Sequence, residues 1–451
     1  MREAGSIAKE GPTSGGVDTP SGSIHGAPLR KLGLVGAVAL VMGNMIGSGI
    51  FLLPQSLAPY GWNAVGGWVV TIAGAVCLAR VLAAISGRHP RAIGPAELVE
   101  HSFGPLAGFL IGFAYWISVW AGCATIAIAA VSYLSSFVPV LGQYPALSSV
   151  GVIWLVTLIN LAGVRAAGGF QVATLLLKLV PLAVVVGLVA MLLADRGGEA
   201  LPSVPAGGLS LGSVNAAAAI ALWAMIGFEA ACAASAKIAD PQRNVARATM
   251  IGAALTGLIY LLVCSGISLM LPVDAVAASE APFALFVATF WSPGPAALIG
   301  LFIAVGAIGT VNGWTLVQAE LPAEMARRRM MPAWFGGALA NGVHHRGLLL
   351  SSALASLLVL SNSSRTMGGL FTFMALLTTA VTLWLYLACA AAALRQRLAL
   401  PTALAGGAFG IWSLVGAGWE ATGLSLLLMA AGLPLYWWTR RDRSAEQAVE
   451  P

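Results

Sequence analysis

The sequence predicts an all-α polytopic membrane protein with 12 transmembrane helices, ten of them forming two inverted five-helix units and two more following at the C-terminal end. Three observations carry this expectation. Hydrophobic residues make up 59% of the 451, charged residues 9%, and the mean hydropathy is +0.88, a composition foreign to soluble domains of this size. Apolar runs of about 20 residues, enough to cross about 30 Å of hydrocarbon, centre near 45, 74, 119, 155, 182, 223, 260, 306, 353, 381, 408 and 430. Two of these runs, the first and the sixth, carry helix-weakening residues in mid-segment.

Residues 1–30 are rich in Gly, Ser, Pro and Thr and hold no apolar run. Such a segment cannot bury enough surface to fold alone, so a disordered tail is expected. It shows no charged start followed by an apolar stretch of 7–15 residues, so a cleaved signal peptide is not expected. The first repeat then runs over 31–195, the second over 210–396, the last two spans over 398–439, and a polar tail over 440–451.

With 12 spans, 20 of the 23 Lys and Arg residues fall on one side, Arg196 and Arg365 on the other, and Lys178 inside a span. The positive-inside rule then places both termini in the cytoplasm. One missed helix would scatter the later charges over both faces, so the asymmetry favours an even count. The net charge of +6 is accounted for by this topology and gives no support to nucleic-acid binding. Cys77, Cys123, Cys232, Cys264 and Cys389 all lie in spans without CxxC spacing, which indicates neither a disulfide framework nor a zinc site. No cofactor is expected.

In the first span, Gly43-Asn44-Met45-Ile46-Gly47-Ser48-Gly49-Ile50-Phe51-Leu52-Leu53-Pro54 places Gly47, Ser48 and Gly49 at membrane depth. Non-helical backbone is tolerated there only where it packs in protein or faces a cavity. The sixth span supplies a second interruption at Leu222-Trp223-Ala224-Met225-Ile226-Gly227-Phe228-Glu229. The two lie five helices apart, an odd number, so the second unit inserts upside down relative to the first, as in inverted-repeat carriers. Unwinding exposes N–H groups at one half-helix start, suited to a carboxylate, and carbonyls at the other half-helix end, suited to an ammonium. A glycine kink for close helix packing is the alternative.

The segments GNMIGSGIFLLP, LWAMIGFEAA, DPQRNVARAT and NGWTLVQAE together resemble the amino acid, polyamine and organocation transporter superfamily, and most closely its basic amino acid/polyamine antiporter branch, over about residues 31–440. The resemblance implies a LeuT-like fold and exchange or proton-coupled uptake by alternating access. It implies that Ser48 and Gly49 hold a carboxylate, that carbonyls of Met45, Trp223 and Ile226 hold an amino group, and that Asn44 and Tyr115 lie near the substrate or its outer entrance. It also puts Trp314 where the antiporter's guanidinium stacks, with Trp223 as a gate.

Glu229 is the one acidic residue near the centre of a span. Ionisable groups at that depth are costly and usually functional, so it is a candidate proton carrier, and the resemblance implies coupling to exchange. A carboxyl that only bonds two helices is the alternative. Lys178, the lone intramembrane cation, matches by resemblance a lysine that takes the place of a coupling sodium ion in sodium-independent members. The arginine/agmatine antiporter is apolar at that position. By the same resemblance, Cys123 stands where that antiporter has an asparagine that helps bind the guanidinium, Ile126 where it has the neighbouring methionine, and Met374 and Ala375 around its tenth-span serine. A guanidinium would then be incompletely satisfied, at about 1–3 kcal/mol per unpaired group, so a smaller amine, a lysine-type ligand or a neutral amino acid fits at least as well.

A channel would require a filter or charge ring, and none is visible. An enzyme would require clustered catalytic groups, yet His25, His89, His101, His344 and His345 all read as tail or loop residues. The expected activity is transport, by exchange or by proton symport. The partners expected are an amino acid or amine, protons, the lipid bilayer and a second copy of the chain.

Overall fold

The computed structural model describes residues 32–440 except 90, 91, 93, 164, 230, 231 and 233–237; the side chains of 48, 165–173, 175 and 242 also lie outside the description. Both expected tails, apart from Arg440, therefore fall outside it, as do Lys237 and the Ser48 side chain.

The helices follow in order as α1 (Leu34–Met45), α2 (Leu53–Leu57), α3 (Trp62–Arg88), α4 (Pro95–Phe103), α5 (Pro105–Ser135), α6 (Val140–Gln143), α7 (Pro145–Leu161), α8 (Arg165–Arg196), α9 (Leu211–Met225), α10 (Pro241–Met270), α11 (Val273–Ala278), α12 (Pro282–Phe290), α13 (Pro293–Arg327), α14 (His345–Ser361), α15 (Met367–Arg395), α16 (Leu400–Gly416) and α17 (Gly418–Ala430). Among the described residues, seven helices are long and apolar enough to cross a membrane, and five shorter apolar ones accompany them. Of the five, α7, α14 and α16 have 17 residues each, the low end of spanning lengths. The other two, α1 and α9, stop at the interruptions read from the sequence. His101 stands in the short helix α4 rather than in a loop.

Burial sorts the helices into layers. The most apolar window of α5 is 89% buried, against 28% for that of Leu176–Ala200 and 22% for that of Gly418–Arg440. A helix apolar on all sides must be surrounded, and α5 packs along both α13 and α15. Around this centre α3 packs on α10 and α9.

Polar pins fix the register of the apolar helices. Trp116 Nε1 of α5 donates to Ser351 Oγ of α14 at 2.9 Å, and Asn160 of α7 donates to Asn312 Oδ1 of α13 at 2.8 Å. Gln318 of α13 donates to Ser352 Oγ at 3.0 Å, and that hydroxyl also meets Thr157 of α7 at 2.8 Å. Each interhelical bond of this kind contributes about 0.6–2 kcal/mol in a membrane. At the arginine-rich end of α13, Arg328 pairs with Glu97 of α4 and with Glu324.

Candidate substrate-binding site

Helix α1 ends because Ile46 and Gly47 leave helical geometry: Ile46 has ψ 74° and Gly47 is extended. A 3-10 turn over Ser48–Phe51 follows, and no side chain caps its start. The non-helical backbone is thus Ile46–Gly47, slightly N-terminal to the glycine-serine-glycine stretch. A short helix beginning without a cap leaves its first N–H groups open to a ligand.

The second interruption follows the same logic. Helix α9 stops at Met225, Ile226 is extended, and Gly227 has φ +116°, a conformation that essentially requires glycine. Its carbonyl accepts from Asn44 Nδ2 at 3.0 Å, so the two breaks are hydrogen-bonded to each other. Behind them, Glu229 Oε2 accepts from the Gly227 N–H at 3.1 Å and from the Tyr386 hydroxyl of α15 at 3.0 Å, while Oε1 has no partner among the described residues. Tyr386 is held by stacking on Phe228, centroids 4.9 Å apart.

Between the breaks lies a cavity of about 60 Å³, lined in part by Asn44, Met45, Gly47, Gly49, Trp223, Ile226 and Trp314. It has room for several water-sized groups. The wall from α5 is Tyr115, Ser118, Val119, Gly122 and Ile126, a stripe at helical spacing. Trp223 covers the 3-10 turn on one side of the cavity. Its indole sits directly on Gly49, where an added Cβ would lie 1.6 Å from Cζ3, and Phe371 of α15 packs edge-on against it at 5.4 Å.

A second cavity of about 110 Å³ adjoins the first and shares Asn44 and Trp314 with it. Lys178 lines it, buried to 6% exposure, with Nζ donating to Thr310 Oγ1 at 3.1 Å. Thr310 passes its own proton to the Gly306 carbonyl at 2.9 Å, so its oxygen is left to accept from the ammonium. Across the break, the position of a Gly47 Cβ would lie 3.8 Å from the Thr310 methyl. A cation therefore stands one side chain away from the unwound backbone.

Most of the residues singled out in the sequence gather here, with two differences of placement. Cys123 is not among the cavity-lining residues; it lies off the Tyr115–Ile126 stripe and its thiol bonds Thr315 of α13. Glu229 lies behind the breaks rather than on the cavity wall. The Met45 carbonyl already accepts from the Gly47 N–H at 2.7 Å and the Tyr260 hydroxyl at 2.9 Å, so both its lone pairs are engaged. Ser118 and Thr378 line the cavity without having been foreseen. Each donates its hydroxyl proton to a carbonyl one turn back, Tyr115 and Met374, and so faces the cavity as an acceptor.

A cavity between paired backbone interruptions, inside an apolar helical bundle, fits one class: a polytopic helical membrane transporter. The chain belongs to the amino acid permease family of the amino acid, polyamine and organocation superfamily, whose family model matches residues 32–437. It is 33% identical over 341 residues to the cadaverine/lysine antiporter of Escherichia coli, covering 74% of this chain and 76% of that protein. It is 30% identical to a putative arginine/ornithine antiporter of Bacillus subtilis, covering 78% and 81%. It is 27% identical to the putrescine transporter PotE of Haemophilus influenzae, covering 91% and 97%. As in its family, the function is transport and not enzymatic turnover, in an integral inner-membrane protein.

Proposed function

We propose that the protein is a secondary active transporter that works by alternating access and exchanges an amino acid for a related amine or amino acid without sodium. The observation that carries this reading is the Lys178 ammonium, hydrogen-bonded to Thr310 beside the first interruption. A fixed cation at that point makes a bound metal cation unnecessary and electrostatically unfavourable. The names of the relatives support exchange of lysine-type amino acids and linear amines. The acceptor-only hydroxyls of Ser118 and Thr378, with the rings of Tyr115 and Trp314, suit the distal ammonium of such a ligand. The uncapped N–H groups at Ser48 and Gly49 suit its carboxylate.

In this reading the seven long and five short apolar helices are 12 spans, the regions 31–195 and 210–396 are inverted halves, 398–439 adds two spans, and both termini are cytoplasmic. Glu229, bound to the Gly227 N–H and to Tyr386, is the coupling carboxyl, because a change in its protonation alters the hydrogen bonds that hold the second interruption.

A second reading, proton-coupled uptake, is favoured by a buried carboxyl, Glu229, at the second interruption together with a buried lysine, Lys178, beside the first. Purified protein in liposomes tests both: radiolabelled lysine enters without sodium in either case. Uptake that depends on preloaded lysine or cadaverine supports exchange, and uptake into empty vesicles driven by a pH gradient supports symport. Sodium-dependent uptake would overturn the role given to Lys178.

A further inference from the structure

The 3-10 turn over Ser48–Phe51 opens with N–H groups that no side chain caps, and it closes on a carbonyl that the backbone does not hold. In a continuous helix the Gln55 N–H would reach the Phe51 carbonyl; here it reaches the Leu52 carbonyl at 3.1 Å, because the chain passes from the 3-10 turn to α2 at Leu52. The N–H that follows the turn, that of Leu52, meets the Gly49 carbonyl at 3.4 Å, long against the usual distance of about 2.9–3.0 Å. A buried carbonyl needs a donor, so the one on Phe51 is left to a side chain.

That side chain is Tyr133 of α5. Its hydroxyl donates to the Phe51 carbonyl at 2.7 Å and accepts from the Phe283 N–H, in the first turn of α12, at 3.3 Å. A hydroxyl has one proton, so the proton is committed to Phe51 and a lone pair to Phe283. The Phe283 ring packs edge-on against that of Phe51, centroids 4.9 Å apart, and all three side chains are buried. The segment entering α12 is itself fastened to α5: Ser132 donates to the Glu280 carbonyl and Ser135 to the Glu280 carboxylate, each at 2.6 Å. The same helix supplies the Tyr115–Ile126 wall of the cavity, so the hydroxyl holds the turn in register with the wall that faces it. The turn is four residues long. Its open donors and its pinned carbonyl therefore belong to one small unit, and the angle of the donors follows the position of the pin. A hydrogen bond weakens steeply once its angle falls below about 120°.

We infer that Tyr133, braced by Phe283, is a positioning residue that aims the N–H groups of the first interruption at the ligand's carboxylate, and so sets the preference for an α-amino acid over the amine that lacks this group. Tyr133 has this role only if, as proposed above, the carboxylate lies on the N–H groups at Ser48 and Gly49. It is not among the residues lining the cavity, so it acts through the turn and not on the ligand. Cadaverine, which is lysine without its carboxylate, makes no use of those donors and is indifferent to the pin.

The test is equilibrium binding of radiolabelled L-lysine and cadaverine to the purified full-length protein and to two variants, in parallel with exchange in liposomes. Tyr133→Phe keeps the ring and removes the hydroxyl; lysine binding weakens by about tenfold while cadaverine binding stays within about twofold of the parent, and the retained cadaverine binding shows that the variant is folded. Phe283→Ala removes the ring behind Phe51 and leaves the hydroxyl in place. It weakens lysine by about threefold with cadaverine again within about twofold, and it decides the matter alone if Tyr133→Phe does not fold. Equal losses for the two ligands, the result expected of a bond that only stabilises the fold, overturn the positioning role, as does no loss for either. A wild type that binds and exchanges both ligands, with variants that leave the ratio of the two affinities unchanged, takes the role from Tyr133 and leaves the transport function standing. A wild type that binds neither overturns both.

Discussion

Gly49→Ala tests the central site with a single methyl group. Residue 49 lies in the 3-10 turn, a conformation alanine adopts freely, and the substitution keeps the backbone N–H. The only thing it changes is space. The new Cβ would lie 1.6 and 1.7 Å from Cζ3 and Cη2 of Trp223, whereas carbon atoms rest about 3.5–4.0 Å apart, so the indole must retreat by about 2 Å. Phe371, packed edge-on behind it, blocks a simple slide. Overpacking of this kind costs about 1–3 kcal/mol, or about 5- to 150-fold in a binding constant. The assay is lysine binding and exchange in liposomes, with the thermal midpoint as a check on folding. Gly47→Ala is the control for folding, since a Cβ there meets no protein atom closer than 3.8 Å and should leave the thermal midpoint close to that of the parent. If Gly49→Ala binds and exchanges like the parent, Trp223 is not seated on the broken segment and the account of the cavity is wrong.

Glu229→Gln keeps an acceptor for the Gly227 N–H and the Tyr386 hydroxyl but removes the titratable proton, so transport should persist with a flattened pH profile; an unchanged profile would remove Glu229 from coupling. Trp314→Leu should weaken cationic ligands more than neutral ones by about 0.5–2 kcal/mol, and equal losses in a competition series would argue against stacking. Thr310→Val removes the acceptor of the Lys178 ammonium and should lower stability by about 1.5–3 kcal/mol, with Thr310→Ser close to the parent in thermal unfolding. A valine variant as stable as the parent would mean that the ammonium is held by other groups.

The sequence disclosed the membrane class, the apolar runs and both interruptions, because each is a local pattern: composition, run length, and glycine where a helix should continue. What it could not disclose was rotation about a helix axis. Helix α5 is apolar all round and buried all round, so nothing in its periodicity separates Ile126, on the cavity, from Cys123, turned to Thr315. The engagement of the Met45 carbonyl by Tyr260 joins residues 215 positions apart, and no local signal marks it. Ser118, Thr378 and Thr310 were missed for a related reason. Hydroxyl residues in apolar helices commonly bond their own backbone, and only the packed neighbours reveal which of them also face a ligand or an ammonium.

The two interrupted segments are laced together twice. At mid-depth, Asn44 donates to the Gly227 carbonyl; near the arginine-rich end, Leu32 and Ile238 form a parallel bridge in which the Ala239 N–H donates to the Leu32 carbonyl at 2.9 Å. Sliding one segment past the other would rupture both ties at once. The pair is therefore coupled: a displacement of either segment along its axis is resisted by both bonds.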